Sequence, residues 1–369
     1  MPLDRLTFLG LRNLAPLDMR PAPGVNLITG ANGSGKTSLL EGIHILGMGR
    51  SFRTQQLKHV IGHDSDALVL HGRLAGEPPV PLGIRRQRAG AELEMRLASE
   101  RVARVAQLVE ALPLQLVNPD AFRLLEGSPS ARREFLDWGV FHVKHEFLEA
   151  WKGFRRALKH RNALLRHDRM DLQSIKVWEH ELVQWSERLD GLREAYVERF
   201  LPIFEETLGE LLPLPGLSLR YYRGWDRKRA LADVLAQGRD SDRMMGFTQQ
   251  GPQRADLRIR LDRRPAVEVL SRGQQKLVVS AMKLAQGRLL EALTGRTCVY
   301  LIDDLPAELD LSHRRAFCRW LERMQCQVFV TSVERAALDG LWQPETPLAM
   351  FHVKQGRLAD HGQYDFTTE

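Results

Sequence analysis

Cysteine is scarce in this chain: 369 residues contain three, Cys298, Cys318 and Cys326. The number is odd and none forms a Cys-x-x-Cys pair, which argues against a disulfide framework or a zinc ribbon and points to reduced thiols in the core. Long apolar runs are also missing. No window approaches 18 consecutive apolar residues, and the start, MPLDRLTFLGLRNL, carries an acid at position 4 and no unbroken apolar segment. Neither a membrane span nor a secretory signal fits, so a cytoplasmic location is expected. With 43% hydrophobic and 27% charged residues the chain can bury cores, which excludes wholesale disorder. An excess of one charge sign is barely present: 53 Lys and Arg against 46 Asp and Glu give +7. That would draw a polyanion, and it is equally what solubility asks for. The length suggests two or three packed units.

Both ends of the chain read as alternating α and β. Strands are expected near residues 6–9 and 25–28, at 67–74, 80–84, 217–222 and 257–261, and in the most apolar run, 298–302, with another at 328–330. Continuous apolar strands of this kind suit a buried parallel sheet. From about Pro129 the chain turns helical. Ile175, Trp178, Leu182, Trp185, Leu189, Leu192 and Tyr196 follow a 3,4 spacing, matched by Phe147, Trp151, Phe154, Leu158 and Leu165. This predicts an antiparallel helical hairpin turning within 167–173, each arm on the order of 35 to 40 Å. One sheet assembled from both ends is therefore expected, with residues 1–115 and 245–369 forming one body and 116–244 a helical insertion.

The strongest local signal is Gly30-Ala31-Asn32-Gly33-Ser34-Gly35-Lys36-Thr37, a complete GxxxxGK[ST] between a strand and a helix. Glycines let successive backbone N–H groups turn inward on phosphate, and the helix start adds its positive dipole end. Lys36 supplies a compact charge, and the Thr37 hydroxyl a Mg2+ ligand. More than two hundred residues on, Val299-Tyr300-Leu301-Ile302-Asp303-Asp304 is an apolar strand ending in two acids. Asp303 suits the Mg2+ shell and Asp304 a general base for water, although two solvated acids at a strand end are the plainer reading. Upstream of it, Leu270-Ser271-Arg272-Gly273-Gln274 places small polar residues at a second helix start.

These segments, with Glu308-Leu309-Asp310 after the acidic strand, resemble in order the Walker A, signature, Walker B and D-loop motifs of ABC-type ATPase heads. The chain is similar in particular to the RecF family of bacterial recombinational repair proteins, which are related to SMC heads. Leu11-Arg12-Asn13-Leu14, Gly49-Arg50-Ser51-Phe52-Arg53, Arg132-Arg133-Glu134-Phe135-Leu136-Asp137-Trp138 and Gly251-Pro252-Gln253-Arg254 share the likeness, which covers nearly the whole chain. The resemblance implies an α/β ABC-type head with an inserted helical lobe. ATP with Mg2+ would be held by residues 30 to 37, Ser38 and Arg12, and Thr37, Asp303 and Gln115 would lie near the metal. Lys36 and Asp304 would be catalytic. Ser271, Arg272, Gly273, Gln274 and Asp310 would act in trans, sealing the nucleotide of a second copy. Implied partners are gapped or single-stranded DNA, RecR, RecO and, downstream, RecA, in repair, replication restart and SOS induction.

Three departures stand out. Asp304 takes the place of the usual Glu, so weak, DNA-dependent turnover is expected. Thr331-Ser332-Val333 carries no switch histidine, and Gln253 stands where the family has His. Two other readings stay open: a clamp that binds ATP without turnover, and the ATPase subunit of a transporter. For DNA, residues 141–170 hold eight Lys or Arg against three acids. Lys144, Arg155, Arg156 and Lys159 are the candidate phosphate contacts, and a merely solvated helix face the alternative.

Overall fold

The computed structural model describes residues 2–90, 92–167 and 172–360. Its contacts separate the chain into two units, Met1–Ala121 with Ser280–Glu369, and Phe122–Val279.

The first unit layers a buried helix between two sheets. One sheet is antiparallel, with strands in the order Leu17–Met19, Leu3–Leu9, Ala67–Leu74, Val80–Gln87, Leu93–Leu97 and Glu100–Arg101. The other draws on both ends of the chain, as expected: Arg357–Asp360, Leu348–Lys354, Val25–Thr29, Val328–Ser332, Val299–Ile302 and Leu114–Val117. All its neighbours are parallel except the outermost hairpin. Val25–Thr29, Val299–Ile302 and Val328–Ser332 are buried at every position, which explains why apolar residues dominate them, and the buried Asn26, Thr29, Thr331 and Ser332 are hydrogen-bonded. Helix Lys36–Met48 is apolar almost all round and buries eleven of its thirteen residues. Gly42 and Gly47 allow this fit. A Cβ would fall 2.6 Å from the Phe8 ring at the first and 2.4 Å from Leu114 at the second. The three cysteines are free and buried, as the sequence suggested. Among the described residues no helix is long and apolar enough to cross a membrane.

The second unit is built on the hairpin. Helices Phe147–Leu165 and Leu172–Leu211 are antiparallel: Glu149 meets Arg188 at 3.4 Å, Gly153 lies under Trp185, and Arg161 reaches Glu179 at 3.0 Å. Part of the expected turn, residues 168–171, lies outside the described residues. The arms are unequal, roughly 28 and 60 Å at 1.5 Å per residue. The second helix runs on past its partner, so that Phe200 packs edge-on against Phe135 of helix Pro129–Val143. Arg161 is fully buried and its charge is met from three directions, by Glu179, by Asp242 at 2.6 Å and by the Thr248 hydroxyl at 2.7 Å. A buried ion stays tolerable only when satisfied in this way.

Residues 245–279, expected with the first body, fold with the insertion instead. Strand Asp256–Leu261 pairs along its whole length with Leu217–Tyr222, and Asp256 is gripped by Arg132 of helix Pro129–Val143. Long-range pairing of this kind leaves no trace in the order of motifs.

Candidate nucleotide site

The glycine loop takes the shape that phosphate requires. Gly30, Gly33 and Gly35 all have positive φ, 151°, 76° and 118°, in the region that favours glycine. A Cβ at Gly30 would sit 2.2 Å from the Val353 carbonyl oxygen. Loop and neighbouring strand are tied by the Gly356 N–H donating to the Ser34 carbonyl at 2.8 Å, and Asn13 Nδ2 donates to the Gly33 carbonyl at 3.1 Å. Lys36 Nζ lies inside the loop and donates to the Gly30 and Ala31 carbonyls at 2.6 and 3.0 Å. Burial lowers its pKa, opposed by the carboxylates of Asp304 and Asp303. Ser34 Oγ is buried without a hydrogen-bond partner, an acceptor-seeking group inside the loop.

The far strand brings in its acids as the sequence suggested. Thr37 Oγ1 donates to both carboxylate oxygens of Asp303, at 3.0 and 3.1 Å. Mg2+ favours one or two protein oxygens and takes the rest from phosphate and water, so this pair fits it. Asp304 has φ 54°, strained for a non-glycine residue by about 1 kcal/mol or more. The Asp304 N–H is held at 2.8 Å by Thr331 Oγ1, which itself donates to Asp303 Oδ1 at 2.8 Å. Thr331 therefore ties both acids to the adjoining strand. A cleft of about 910 Å3 opens over the loop, bordered by Lys36, Thr37, Asp303, Asp304, Arg12 and Arg53. That volume lies within the range of small-molecule sites.

One expectation needs correction. Gln115 is not at the metal position: it is 1% exposed and its amide donates to Gln286 Oε1 at 2.8 Å. The parallel register sets Gln115 beside Tyr300, three residues short of Asp303, or about 10 Å at 3.3 Å per residue. Arg12 borders the cleft, but its guanidinium is committed to Glu41 at 2.7 and 2.9 Å and to the His59 carbonyl at 2.9 Å. Glu41, fully buried, also accepts from Ser51 and lies 3.5 Å from Arg53. Sequence reading passed over this acid, although a lone Glu in the apolar run LLEGIHIL demands a cation partner.

The second helix start belongs to the other unit. Ser271 precedes helix Arg272–Thr294, and a reciprocal cap forms: the Ser271 N–H donates to Gln274 Oε1 at 2.9 Å, and the Gln274 N–H to Ser271 Oγ at 3.3 Å. Ser271, Arg272 and Gly273 are exposed, and no atom lies within 4 Å of where a Gly273 Cβ would stand. Arg272 pairs with Glu126. Asp310 caps helix Leu311–Arg323, accepting from the His313 N–H at 3.0 Å, the Ser312 hydroxyl at 2.7 Å and the His313 ring at 2.6 Å. These donors hold its carboxyl below the usual carboxylate range. Gln253 donates to the Thr248 and Gln250 carbonyls, so here it braces a turn. Arg155, Arg156 and Lys159 are exposed on helix Phe147–Leu165, with Arg155 over the Trp151 ring and Arg156 4.0 Å from Glu181, and Lys144 ends the preceding helix. Asp168 and Arg169, counted in the basic stretch, lie outside the described residues.

A P-loop on a central strand of a mostly parallel sheet, an acid pair at the end of the next strand but one and a capped signature helix define an ABC-type ATPase head. The profile of the RecF/RecN/SMC N-terminal domain family matches residues 2–358, and the chain belongs to that family, within its RecF branch. It is 75% identical to the DNA replication and repair protein RecF of Chromohalobacter salexigens over 97% of this chain and 99% of the relative. It is 53% identical to the RecF of Azotobacter vinelandii over 97% and 98%. A solved structure of the recombination mediator protein RecF with ATP, from the RecFOR pathway, superposes with TM-score 0.86 at 22% identity over 98% of both chains. The Smc head bound to the C-terminal winged-helix domain of ScpA superposes at 0.57, with 14% identity over 98% of both.

Proposed function

We propose that this chain is a cytoplasmic, ATP-dependent DNA-binding protein of recombinational repair. ATP with Mg2+ closes two copies face to face on gapped or single-stranded DNA, and slow hydrolysis releases them. In each copy the loop from Gly30 to Thr37 and Ser38 would cradle the phosphates, with Lys36 as their charge and Thr37 and Asp303 as protein ligands of the metal. The metal would neutralise phosphate charge, and Asp304 would orient the attacking water. The opposing copy would supply Ser271, Arg272, Gly273 and Gln274, with Asp310 beside the interface. One observation carries the reading: the signature helix start is folded, capped and exposed, with open space over Gly273. Such a helix start is an anion site waiting for its anion.

Arg12, held on Glu41, borders the cleft as a fixed positive charge for the nucleotide. Lys144, Arg155, Arg156 and Lys159 are the proposed DNA contacts on the hairpin. The names of the relatives support the repair context, in which RecR, RecO and RecA would be the partners and replication restart and SOS induction the outcomes. Asp304, one methylene shorter than Glu, favours weak turnover and keeps a non-hydrolysing clamp as the second reading. The transporter reading has no support from this family. Sedimentation velocity with ATP, ADP or no nucleotide, each with and without gapped DNA, tests the proposal: a dimer is expected with ATP alone and a DNA-bound dimer with both. A monomer at saturating ATP and magnesium, with DNA present, would overturn it.

A further inference from the structure

We propose that the outer face of the three-stranded sheet in the second unit contacts the phosphate backbone of nucleic acid. This rests on the reading of the chain as a DNA-binding protein and gives that binding a place apart from the hairpin. Strand Asp256–Leu261 lies between Leu217–Tyr222 and the short strand Arg264–Pro265. Its side chains alternate: Leu257 and Ile259 are buried, Arg258 and Arg260 exposed. The antiparallel register sets Arg258 directly across from the exposed Arg220, Arg260 across from Ser218 and Asp256 across from Tyr222. Arg220, Arg258, Arg260 and Tyr222 therefore share one face.

Like charges directly opposite on a ladder, with Cβ atoms on the order of 5 Å apart, weaken a sheet. Here nothing neutralises them. None of Arg220, Arg258 and Arg260 has an ion-pair partner among the described residues. Asp256, the acid in that alternation, is taken by Arg132 at 2.6 and 3.2 Å. The Arg258 guanidinium lies 3.8 Å over the Tyr222 ring, a flat cation laid open to solvent. At the hairpin turn Arg263 is exposed beside the equally exposed Asp262, while Arg264, across from Leu261, lies on the opposite face. The face offers forked cations, one aromatic ring and, across from Arg260, the exposed ring of Pro265. Guanidinium forks on a planar surface suit phosphate oxygens.

The test compares three proteins: the unaltered chain, a neutralised variant (Arg220→Gln, Arg258→Gln, Arg260→Gln) and a charge-retaining one (Arg220→Lys, Arg258→Lys, Arg260→Lys). Binding to a short fluorescent single strand and to a duplex of the same length is titrated against salt, with ATP and Mg2+ present. Each lost phosphate contact removes about 0.7 from the salt slope on a single strand and about 0.9 on duplex. The neutralised variant should lose about 2 and about 3, weakening single-strand binding roughly a hundredfold at about 0.1 M salt. The lysine variant should keep its slope, ATP affinity should not move in either variant, and the melting temperature of the neutralised variant should rise, never fall, as the Arg220–Arg258 repulsion is relieved. An unchanged slope in the neutralised variant overturns this assignment, as it would if the face served an acidic protein, while leaving the DNA-binding reading intact. If the unaltered protein binds neither probe, both fall together.

Discussion

Replacing Thr331 by Val removes one oxygen atom and keeps the shape of the side chain, at a residue that is 0% exposed. Two hydrogen bonds go with it, the one donated to Asp303 Oδ1 and the one accepted from the Asp304 N–H, both at 2.8 Å. A buried N–H left without a partner costs about 1 to 3 kcal/mol, and the bond to the charged acid adds to that, so we predict a net loss of about 2 kcal/mol. For a unit of roughly two hundred residues this corresponds to a fall of about 4 to 8 °C in melting temperature. The functional effect should exceed what stability alone would cause. Asp304 holds a left-handed backbone that this N–H anchors; released from it, the carboxylate loses its aim at the water. Positioned general bases contribute about 10²- to 10⁴-fold, and losing part of that positioning should lower single-turnover hydrolysis about tenfold. ATP affinity should be nearly unchanged, because the glycine loop and Lys36 are untouched. Single-turnover hydrolysis on gapped DNA, paired with equilibrium ATP binding and thermal melting, reads all three. Full hydrolysis and an unchanged melting temperature in Thr331→Val would refute the idea that this hydroxyl organises both acids.

Two further predictions concern the packing that supports the site and the hairpin. Burial pushes the His44 imidazole down to about 4. The unfolded chain protonates near the ordinary value of 6.5 while the folded chain resists, so stability is lost as pH falls from about 6.5 towards 4. Between pH 7 and pH 5 the loss from this one group is about 2 kcal/mol, and the difference in urea stability between those pH values should shrink by that amount in His44→Gln; an identical pH dependence in the two proteins would contradict it. Gly153→Ala would place a Cβ 2.3 Å from the Trp185 ring in the hairpin seam, so we predict a destabilisation of about 1 to 3 kcal/mol by thermal melting. An unperturbed melting temperature would show that the two helices are not packed this closely.

What could be read from the sequence was whatever is contiguous. The glycine loop and the acidic strand each carry their chemistry within eight residues, and their geometry follows from one strand and the turn after it. The hairpin was visible because its seam repeats every three and four residues, and the capping box Ser271–Gln274 has a plain sequence signature. Pairings across long separations were not legible. Gln115 was placed near the metal only through the resemblance to ABC-type heads, and the register with Val299–Ile302 shows it level with Tyr300. The boundary expected at residue 245 missed the sheet in which Asp256–Leu261 pairs back with Leu217–Tyr222. The ion pair from Arg12 to Glu41 joins a loop to a helix 29 residues on, and only the misfit of an acid in an apolar helix announced it.

If each nucleotide is gripped by one copy and sealed by another, two variants that fail in different halves of that site should complement each other. Lys36→Ala spoils the phosphate grip and leaves its signature helix intact; Ser271→Arg spoils the signature helix and keeps the grip. Each alone should sediment as a monomer with ATP, Ser271→Arg still binding nucleotide. Mixed in equal amounts with ATP and magnesium, they should form a heterodimer carrying one complete site. A mixture as monomeric as its components, or a Ser271→Arg protein that no longer binds ATP by itself, would contradict the account.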